Sequence, residues 1–464
     1  MTTTETTRAG TPLSIPELRS SIAGRVIAPD DPDYDRARTV MYGGVGDDRP
    51  AVIVKVAHAD DVVRVIELAR STGLELAVRS GGHSAAGHSV VDGGIVLDVS
   101  DMKAIDIDVE RHTVWAASGL TAVELAQALD EHGLAIGFGD TGSVGIGGIT
   151  LGGGVGYLVR KYGLTIDDLI GAEIVTADGA ILRVDADHDP DLFWAIRGGG
   201  GNFGVVTRFR YRVHEVGQVL GGMLILPATS ETVAGFIAAA AAAPEELSTI
   251  ANVMPCPPMP FVPAEHHGEL VVFGILACVG DPAAAERAIA PFRALATPLA
   301  DLVHPIRYPE IYPPEDPDYH PTAVSRTMFI DHVDGEVAAL ILDRLAASDA
   351  SVRVAQLRVL GGAMARVPVD ATAFAHRASR IMVNVAAFYD GPDDKPIREA
   401  WVTELASALD QGDHGAYVNF LGDEGVERVH AAYPGATWGR LAAVKARYDP
   451  TNLFHRNQNI PPSA

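Results

Sequence analysis

A histidine flanked by glycine and serine is the first residue whose setting indicates chemistry. His83 lies within RSGGHSAAG, residues 79–87, which connects two segments of strand-like pattern. Small neighbours leave the imidazole open to a ligand that approaches the turn. A solvated loop histidine is the alternative. A metal pair with His88 is disfavoured, because a five-residue spacing does not align two imidazoles on one helix face and no third ligand lies nearby.

A second candidate segment is dense in glycine. Glycine is costly in backbone entropy, so this density needs a reason, and close approach of backbone N–H groups to a diphosphate is one. A flexible loop is the alternative, but apolar residues recur through the segment, so we expect it to be buried and ordered. The glycines are Gly142, Gly145, Gly147, Gly148, Gly152, Gly153, Gly154 and Gly156.

Other sequence motifs argue against several enzyme classes. GxGxxG occurs at residues 137–142 and 199–204, but a glycine-rich stretch follows the first and a strand-like run follows the second, where the dinucleotide fold requires a helix. No phosphate-binding GxxxxGK[ST], zinc-protease HExxH or hydrolase GxSxG pattern occurs. The triplet of Glu265, His266 and His267 precedes a glycine and predicts a solvated turn. We therefore predict no metal site.

The elements that position these motifs follow α/β patterning at first. Residues 51–56 and 75–78 read as strands around a helix over 60–72, and further strands are expected at 95–99, 113–116, 173–176 and 205–213. A helix is predicted over about 121–132, where Thr121 and Glu124 have the spacing of a capping box.

The pattern changes near residue 215, which indicates a second domain. Long apolar strands alternate there with amphipathic helices, so we expect a sheet covered by helices on one face. Strands are predicted at 223–226, 270–279, 326–332, 352–359 and 380–388, and helices at 231–242, 283–295 and 336–347. Proline-rich residues 254–263 and 308–321 read as loops, either plain connections or a substrate lid. The last fifty residues read as mixed and loop-rich.

Composition limits the partners of the protein. The 464 residues carry a formal charge of −24, which disfavours nucleic-acid and anionic-membrane partners. No apolar run is long enough for a membrane span, and the Thr-rich residues 1–13, expected to be a frayed tail, lack the pattern of a secretion signal. Cys256 and Cys278 lie in apolar surroundings, so we expect buried thiols and a cytoplasmic location. A monomer or homodimer is expected.

Several motifs in order resemble one family across residues 49–462. They are RSGGHSAAG (79–87), VGIGGITLGGGVG (144–156), GLTIDDL (163–169), RGGGGNFGVV (197–206), YVN (417–419) and DPTNLFHRNQNIP (449–461). The chain is similar to the berberine-bridge-enzyme-like FAD-linked oxidases, within the vanillyl-alcohol-oxidase/PCMH-type superfamily. The resemblance implies an α+β fold with a two-part PCMH-type FAD-binding domain (1–215), a substrate domain with a mixed or antiparallel sheet (216–412), and a C-terminal segment (413–464) that returns to the first domain.

The resemblance also implies a set of cofactor residues. His83 matches the histidine that bonds the 8α-methyl group of the flavin, an attachment that makes the flavin a stronger oxidant. Other positions would surround the diphosphate, the ring or the adenosine half. These are Arg79, Ser80, Gly81, Gly82, Ser84, Gly87, His88, Thr141, Val144, Gly145, Gly148, Gly152, Gly153, Ile174, Val206, Tyr417, Asn419 and Asn457.

Three positions refine the expected chemistry. Many family members carry a second flavin link through a cysteine where this chain has Thr141, which implies a single histidyl bond and a less oxidising flavin. A small residue at Gly139 would leave room for dioxygen, although a simple turn is the alternative. Tyr417 is the candidate base that takes a proton as hydride leaves the substrate; packing against the flavin with one hydrogen bond is the alternative.

The expected reaction is oxidation at a C–H bond next to an alcohol or amine group. FAD accepts the hydride, and dioxygen then reoxidises the flavin and gives hydrogen peroxide. Polar residues in apolar strands, with two tyrosines, are substrate-contact candidates or ordinary packing and hydrogen-bonding groups: Tyr312, Gln356, Arg358, Asn384 and Tyr389. Alternatives are an oxidative-cyclisation enzyme of secondary metabolism, a dehydrogenase that does not use dioxygen, and a flavin-binding protein without catalysis.

Overall fold

The computed structural model describes residues 12–44 and 47–463. Residues 1–11 of the predicted tail lie outside the described part of the chain. None of the described helices combines the length and the apolar character that crossing a membrane requires.

The first half of the chain forms three sheets. A four-stranded sheet has the order β1-β2-β4-β3, a five-stranded sheet the order β5-β6-β10-β8-β9, and β7 pairs with β11. The elements in chain order are α1 (Ile15–Ser21), β1 (Arg25–Ile27), α2 (Tyr34–Arg38), β2 (Val52–Lys55), α3 (Ala59–Thr72), β3 (Leu76–Arg79), β4 (Ile95–Asp98), β5 (Ile105–Asp108), β6 (Thr113–Ala117), α4 (Ala122–Asp130), β7 (Leu134–Ala135), α5 (Ile146–Gly152), α6 (Val159–Tyr162), β8 (Leu169–Val175), β9 (Ile181–Val184), α7 (Pro190–Ala195), β10 (Val205–Arg212) and β11 (His214–Glu215).

The four-stranded sheet brings the His83 segment to a strand end. β2, β4 and β3 are parallel, and their near-continuous apolar sequences are buried, as expected for a parallel sheet that is covered on both faces. α3 ends at Thr72 and is capped by Gly73, whose φ of +72° lies in the left-handed region that glycine favours. Because β3 ends at Arg79, the turn that carries His83 starts at the carboxyl edge of this sheet.

The five-stranded sheet is antiparallel and supports the glycine-rich segment. The predicted capping box is confirmed: the Thr121 hydroxyl accepts from the Glu124 amide, and a Glu124 carboxylate oxygen accepts from the Thr121 amide. Gly145 forms a single β-bridge with Thr121. Residues 146–152, expected to be ordered, form α5 with Ile146 and Thr150 fully buried.

The second half contains one large antiparallel sheet. Its order is β15-β12-β14-β13-β18-β19-β17, with β16 also paired to β12, and helices cover one face, as predicted. The elements are β12 (Val219–Pro227), α8 (Ser230–Ala242), β13 (Leu247–Pro255), β14 (Leu270–Val279), α9 (Pro282–Arg293), β15 (Ala300–Asp301), β16 (His304–Ile306), β17 (Ala323–Ile330), α10 (Gly335–Ala347), β18 (Arg353–Val359), α11 (Ala363–Arg366), β19 (Ile381–Phe388) and α12 (Lys395–Ala408).

The predicted loop-rich character of the last fifty residues is wrong in part, because two helices lie there. They are α13 (Val426–Ala432) and α14 (Ala436–Tyr448), and α14 packs against α7 of the first half. The buried face of α14 includes Lys445, which is wholly buried. This charged residue interrupts the apolar periodicity by which the sequence would predict a helix. Its ammonium group donates to the Asn202 carbonyl (2.7 Å), the Phe454 carbonyl (2.9 Å) and the Asp449 carboxylate (2.6 Å). The tail is thereby fixed to the 199–204 loop, and we propose the domain boundaries 1–215, 216–412 and 413–464.

Candidate FAD and substrate site

One cavity of about 450 Å³ lies where the first half, the large sheet and the C-terminal segment meet. Its walls come from the His83 turn, the glycine-rich segment, β18, β19 and residues 417–421 and 454–458. Cavities at domain junctions with a few convergent polar groups are typical ligand sites. The folding of the chain therefore brings together motifs that are more than 300 residues apart.

Two glycines allow the His83 turn and the glycine-rich segment to touch. A Cβ atom on Gly145 would lie 2.3 Å from the Gly81 amide nitrogen, and one on Gly81 would lie 2.3 Å from the Gly145 amide nitrogen. Both contacts are with backbone, which cannot move aside as a side chain can. Gly82 adopts a φ of +73°, so it also suits the turn only as glycine. Gly148 faces open space, with nothing within 4 Å of an added Cβ.

The cavity offers hydrogen-bonding groups that the protein does not use itself. Within the described chain, the amides of residues 81–84 donate no hydrogen bond, and consecutive free N–H groups around a positive-φ glycine form an anion-binding nest. Buried polar atoms normally have partners, yet several that line this cavity have none among the described residues. They are His88 Nε2, Ser89 Oγ, Ser118 Oγ, Asn384 Oδ1, Arg456 Nε and Asn457 Oδ1. These groups fit a ligand with phosphate and polar ring atoms, as FAD has.

His83 is held by a chain of hydrogen bonds. Its Nε2 lies 2.9 Å from Ser143 Oγ, and the Ser143 hydroxyl donates to a carboxylate oxygen of Glu315. The Ser143 amide donates to the other oxygen of Glu315 at 3.0 Å. Burial lowers the pKa of His83, opposed by the negative charges of Glu315 and Asp140. The imidazole is therefore neutral near pH 7, as a nucleophile must be.

His88 lies in the same cavity with a stronger perturbation. Burial and the nearby positive charge of Arg456 lower its pKa to about 4. His88 is thus a neutral hydrogen-bonding group at physiological pH, and its Nε2 is available to a ligand.

Tyr417 presents its hydroxyl to three donors at one point of the cavity wall. The amides of Gly154 (3.0 Å) and Val155 (3.3 Å) and the Asn419 side-chain amide (2.9 Å) all donate to Tyr417 Oη. Burial raises the pKa of Tyr417, while these three donors and Arg358 oppose that rise. The arrangement stabilises negative charge on the oxygen, which is what a proton acceptor needs.

A polar row crosses four strands of the large sheet. The strand register pairs Asn252 with Gln356, Gln356 with Asn384, and Asn384 with Thr327. The Gln356 amide donates to Asn252 Oδ1 at 2.9 Å, while Asn384 Oδ1 and Thr327 Oγ1 have no partner among the described residues. Asn384 and Gln356 line the cavity, so this row presents an acceptor to a ligand.

Arg358 is bonded to residues of both halves of the molecule. Its guanidinium pairs with Asp140, donates twice to Gln356 Oε1 (2.7 and 3.1 Å) and once to the Val155 carbonyl (3.3 Å). The side chain of Arg358 is only 5 % exposed. The large sheet is thereby joined to the glycine-rich segment, and the cavity carries no uncompensated charge at this point.

Most of the predicted site residues meet in this cavity. The sequence separates them into seven segments, and the structure joins all seven. The predicted residues that line it are Ser80, Gly81, Gly82, His83, Ser84, His88, Gly139, Thr141, Val144, Gly145, Gly148, Val206, Gln356, Arg358, Asn384, Tyr417, Asn419 and Asn457.

The structure places three predicted cofactor residues behind the cavity wall rather than in its lining. The Arg79 guanidinium pairs with buried Asp98 (2.9 Å) and donates to the Ala37 carbonyl, so it stabilises the start of the His83 turn from the side away from the cavity. Gly87 closes a turn at a φ of +72°. Ile174 is wholly buried in the core, against Gly204.

Four more predicted residues also lie outside the lining. Gly152 and Gly153 make room for Asn419 and Tyr417, because a Cβ on Gly152 would lie 2.0 Å from Asn419 Oδ1 and one on Gly153 3.3 Å from the Tyr417 ring. Tyr312 packs against Tyr157, with ring centroids 6.0 Å apart, rather than lining the cavity. Tyr389 likewise packs away from it, with its hydroxyl bonded to the Gly44 carbonyl at 3.3 Å.

Sequence reasoning missed several lining residues and the His83 contacts. Asp140 stands between two predicted residues, so its position was a usable signal. Ser143 stands between Gly142 and Val144 and offered the same signal, whereas Glu315 gave none, because it lies in the loop 308–321, which folds back over the His83 turn. Other missed lining residues are Tyr42, Ser118, Asn202, Ser325, Phe420 and Arg456.

Comparison with known proteins finds two family matches in the chain. The family described as FAD binding domain matches residues 50–185, and the family described as berberine and berberine like matches residues 416–461. The FAD-linked oxidoreductase YvdP of Bacillus subtilis, itself uncharacterized, is 32% identical over 96% of this chain and 99% of that protein. The (R)-6-hydroxynicotine oxidase of Paenarthrobacter nicotinovorans is 32% identical over 95% and 97% of the two chains.

Solved structures agree on the fold. A crystal structure of 6-hydroxy-D-nicotine oxidase from Arthrobacter nicotinovorans superposes with a TM-score of 0.83 at 30% identity, covering 96% of this chain and 99% of that one. The molecule is thus an FAD-dependent oxidoreductase with a PCMH-type α+β fold. It belongs to the berberine-bridge-enzyme-like FAD-linked oxidoreductases.

Proposed function

We propose that this protein is an oxidase of a small, uncharged, polar substrate and carries FAD bonded to His83. The reaction removes hydride from a C–H bond next to an alcohol or amine group, and dioxygen accepts the electrons as hydrogen peroxide. The observation that carries the proposal is the convergence of His83, Tyr417 and the Asn384 acceptor in one cavity. The relative named (R)-6-hydroxynicotine oxidase, similar over nearly the whole chain, supports oxidase chemistry on a small molecule.

FAD, when bound, supplies a hydride acceptor. The chain's own residues bind and orient the substrate. The Asn384 Oδ1 atom accepts a hydrogen bond from a substrate O–H or N–H group, and the polar row fixes its strand position. Because Asp140 neutralises Arg358, this part of the cavity favours an uncharged alcohol, sugar or neutral amine over an anion.

Tyr417 accepts the proton that leaves the substrate O–H or N–H. The raised pKa of its hydroxyl means that phenolate is scarce near pH 7. The three donors stabilise the phenolate, which is the form of Tyr417 that can accept a proton, and the substrate proton moves to it in concert with the departure of hydride.

Gly139 supports the use of dioxygen. It lines the cavity, and the nearest atom to an added Cβ would be the Ile149 Cδ1 atom at 2.7 Å. No other described atom outside its chain neighbours lies within 4 Å of that position, so the glycine leaves open space that is bordered by one flexible methyl group and suits a small gas molecule. A branched side chain here would fill it.

A single histidyl bond is the form of attachment that we propose. Thr141 lies in the cavity wall where a second linking cysteine would stand, and both cysteines are buried, in the core of the large sheet or in a small cluster beside it. Burial raises the pKa of the Cys278 thiol to about 11 and also raises that of Cys256, so neither is a reactive thiolate. Two free thiols also support a cytoplasmic location.

Two measurements on the purified protein test the proposal. Denatured wild type should keep flavin absorbance, and the peptide that carries residue 83 should gain the mass of FAD, whereas His83→Ala should release all flavin in acid. A panel of neutral alcohols, sugars and amines should include a substrate that consumes oxygen and yields peroxide. Reduction by a substrate without peroxide would identify a dehydrogenase, and a ring-closed product would identify a cyclisation enzyme; either result would contradict the oxidase assignment.

A further inference from the structure

Ser143 and Glu315 form a hydrogen-bonded relay that ends on His83. Ser143 Oγ lies 2.9 Å from His83 Nε2, and its hydroxyl donates to Glu315. The Ser143 amide also binds Glu315, at 3.0 Å, so the carboxylate holds the serine at two atoms. Glu315 comes from the loop 308–321 of the second half, whereas Ser143 and His83 belong to the first half.

The direction of these hydrogen bonds fixes the tautomer of His83. The Ser143 hydroxyl has one proton, and the Glu315 carboxylate, which can only accept, takes it. Ser143 Oγ must therefore accept from His83, which places the imidazole proton on Nε2. Nδ1 then carries the lone pair, and it is the nitrogen free to form a bond.

We propose that Ser143 and Glu315 are positioning residues that prepare His83 for covalent attachment of FAD. The relay holds the ring, selects the tautomer with a nucleophilic Nδ1, and accepts the proton that the imidazole loses. This inference rests on the His83 linkage proposed above. The loop 308–321 thus contributes to cofactor attachment rather than serving as a plain connection.

The relay accounts for the proton in the attachment reaction. One C–N bond forms between His83 Nδ1 and the 8α carbon, and one C–H bond at that carbon breaks. The Nε2 proton passes to Ser143 Oγ as the Ser143 proton passes to Glu315, an exposed residue that exchanges it with water. In sum two protons and two electrons leave, and dioxygen accepts them as hydrogen peroxide.

The site has the charge and burial that such a step needs. Burial keeps His83 neutral before the bond forms. Alkylation at Nδ1 would make the ring cationic unless Nε2 loses its proton, and Glu315 and Asp140 are the carboxylates whose negative charge acts on this ring. Of the two, Glu315 is hydrogen-bonded to Ser143.

Attachment kinetics test this inference separately from the linkage itself. Full-length apoprotein from riboflavin-limited cells is mixed with FAD, and samples are quenched in acid over time. Covalent flavin is read as fluorescence in a denaturing gel and as the mass of the peptide that carries residue 83. Flavin retained by the native protein before quenching measures non-covalent binding. The variants are Ser143→Ala, Glu315→Gln, Ser143→Thr and the control Asp318→Asn, which changes an exposed carboxylate of the same loop.

We expect Ser143→Ala and Glu315→Gln to bind FAD but attach it at least tenfold more slowly than wild type, and Ser143→Thr and Asp318→Asn to attach it within about threefold of the wild-type rate. Attachment by Ser143→Ala and Glu315→Gln at the wild-type rate would overturn the inference. Loss of non-covalent binding in both would overturn it too, because the pair would then belong to cofactor binding. Slow attachment of FAD in Ser143→Thr would contradict the role of the Ser143 hydroxyl in the relay. Absence of covalent flavin in wild type would instead refute the proposed linkage.

Discussion

Replacement of Tyr417 by phenylalanine removes one oxygen atom and separates the two roles open to this residue. The ring keeps its packing against Phe374 and Phe420, with centroid distances of 6.1 and 5.1 Å. The hydroxyl, however, is the common acceptor of the Gly154 and Val155 amides and the Asn419 side chain. A packing role predicts little change in flavin reduction, whereas a proton-accepting role predicts a large one.

The structure sets the size of both effects. A buried donor that loses its acceptor costs about 1–3 kcal/mol, and the cavity gives water access to some of the three, so we expect the free energy of unfolding to fall by about 2–4 kcal/mol. Loss of a positioned base slows a reaction by about 10²–10⁴-fold, which corresponds to about 3–5 kcal/mol of barrier. The lost stability does not alter turnover in the molecules that remain folded, so the two quantities are measured independently.

The assay is anaerobic stopped-flow reduction of the flavin by an identified substrate, with covalent flavin content as the measure of folded protein. In wild type the rate should fall in D₂O, because proton and hydride transfer are concerted, and in Tyr417→Phe this solvent effect should be lost. Tyr433→Phe is the matched control, since Tyr433 is also fully buried but its hydroxyl has no partner among the described residues. Flavin reduction by Tyr417→Phe within threefold of the control would refute the role of base.

Three further changes test the cofactor site. His88 has a pKa of about 4 when folded and about 6.5 when unfolded, so stability that is present above pH 6.5 is lost as the pH falls toward 4. In urea unfolding of the apoprotein, His88→Gln should reduce the loss of unfolding free energy between pH 7 and 5 by about 2 kcal/mol. An unchanged loss would contradict this prediction. Gly148→Ala should fold normally yet bind FAD at least tenfold more weakly, because its Cβ enters open cavity space. Gly145→Ala should also lose stability, because its Cβ would lie 2.3 Å from the Gly81 backbone. Equal thermal stability of the two variants would argue against this close contact between the two glycine turns. Gly139→Val should slow the reoxidation of flavin by dioxygen at least tenfold, measured by stopped flow with Gly139→Ala as the control. An unchanged reoxidation rate would contradict a role of Gly139 in dioxygen access.

Local pattern made much of the fold predictable. β14 has its predicted bounds, and α3, α4, α8 and α10 begin within about two residues of theirs, because apolar periodicity and capping signals are local properties. β13 (Leu247–Pro255) was missed because Ser, Thr, Asn and Pro interrupt its sequence, although it is a central strand with neighbours on both sides. There, tertiary pairing outweighs local propensity.

The candidate site was predictable where motifs are contiguous and unpredictable where contacts cross domains. The glycines and His83 were identified because their spacing alone carries the signal. Arg358 was chosen as a polar residue in an apolar strand, but its partner Asp140 lies more than 200 residues away. Glu315 was hidden in the same way, since no local pattern in the loop 308–321 indicates that it contacts Ser143.

The order in which the chain is made has a consequence for assembly. Tyr417, Asn419 and Asn457 form one side of the cavity, and Lys445 fastens that side to the 199–204 loop. Domains fold from the amino terminus as the ribosome works, at about 5–20 residues per second. Residues 1–412 are therefore made while the pocket still lacks this wall, and we expect a nascent chain to retain FAD only once residues 417–457 have emerged. This order predicts that the cofactor is loaded after translation, and that a chain truncated before residue 417 does not retain flavin.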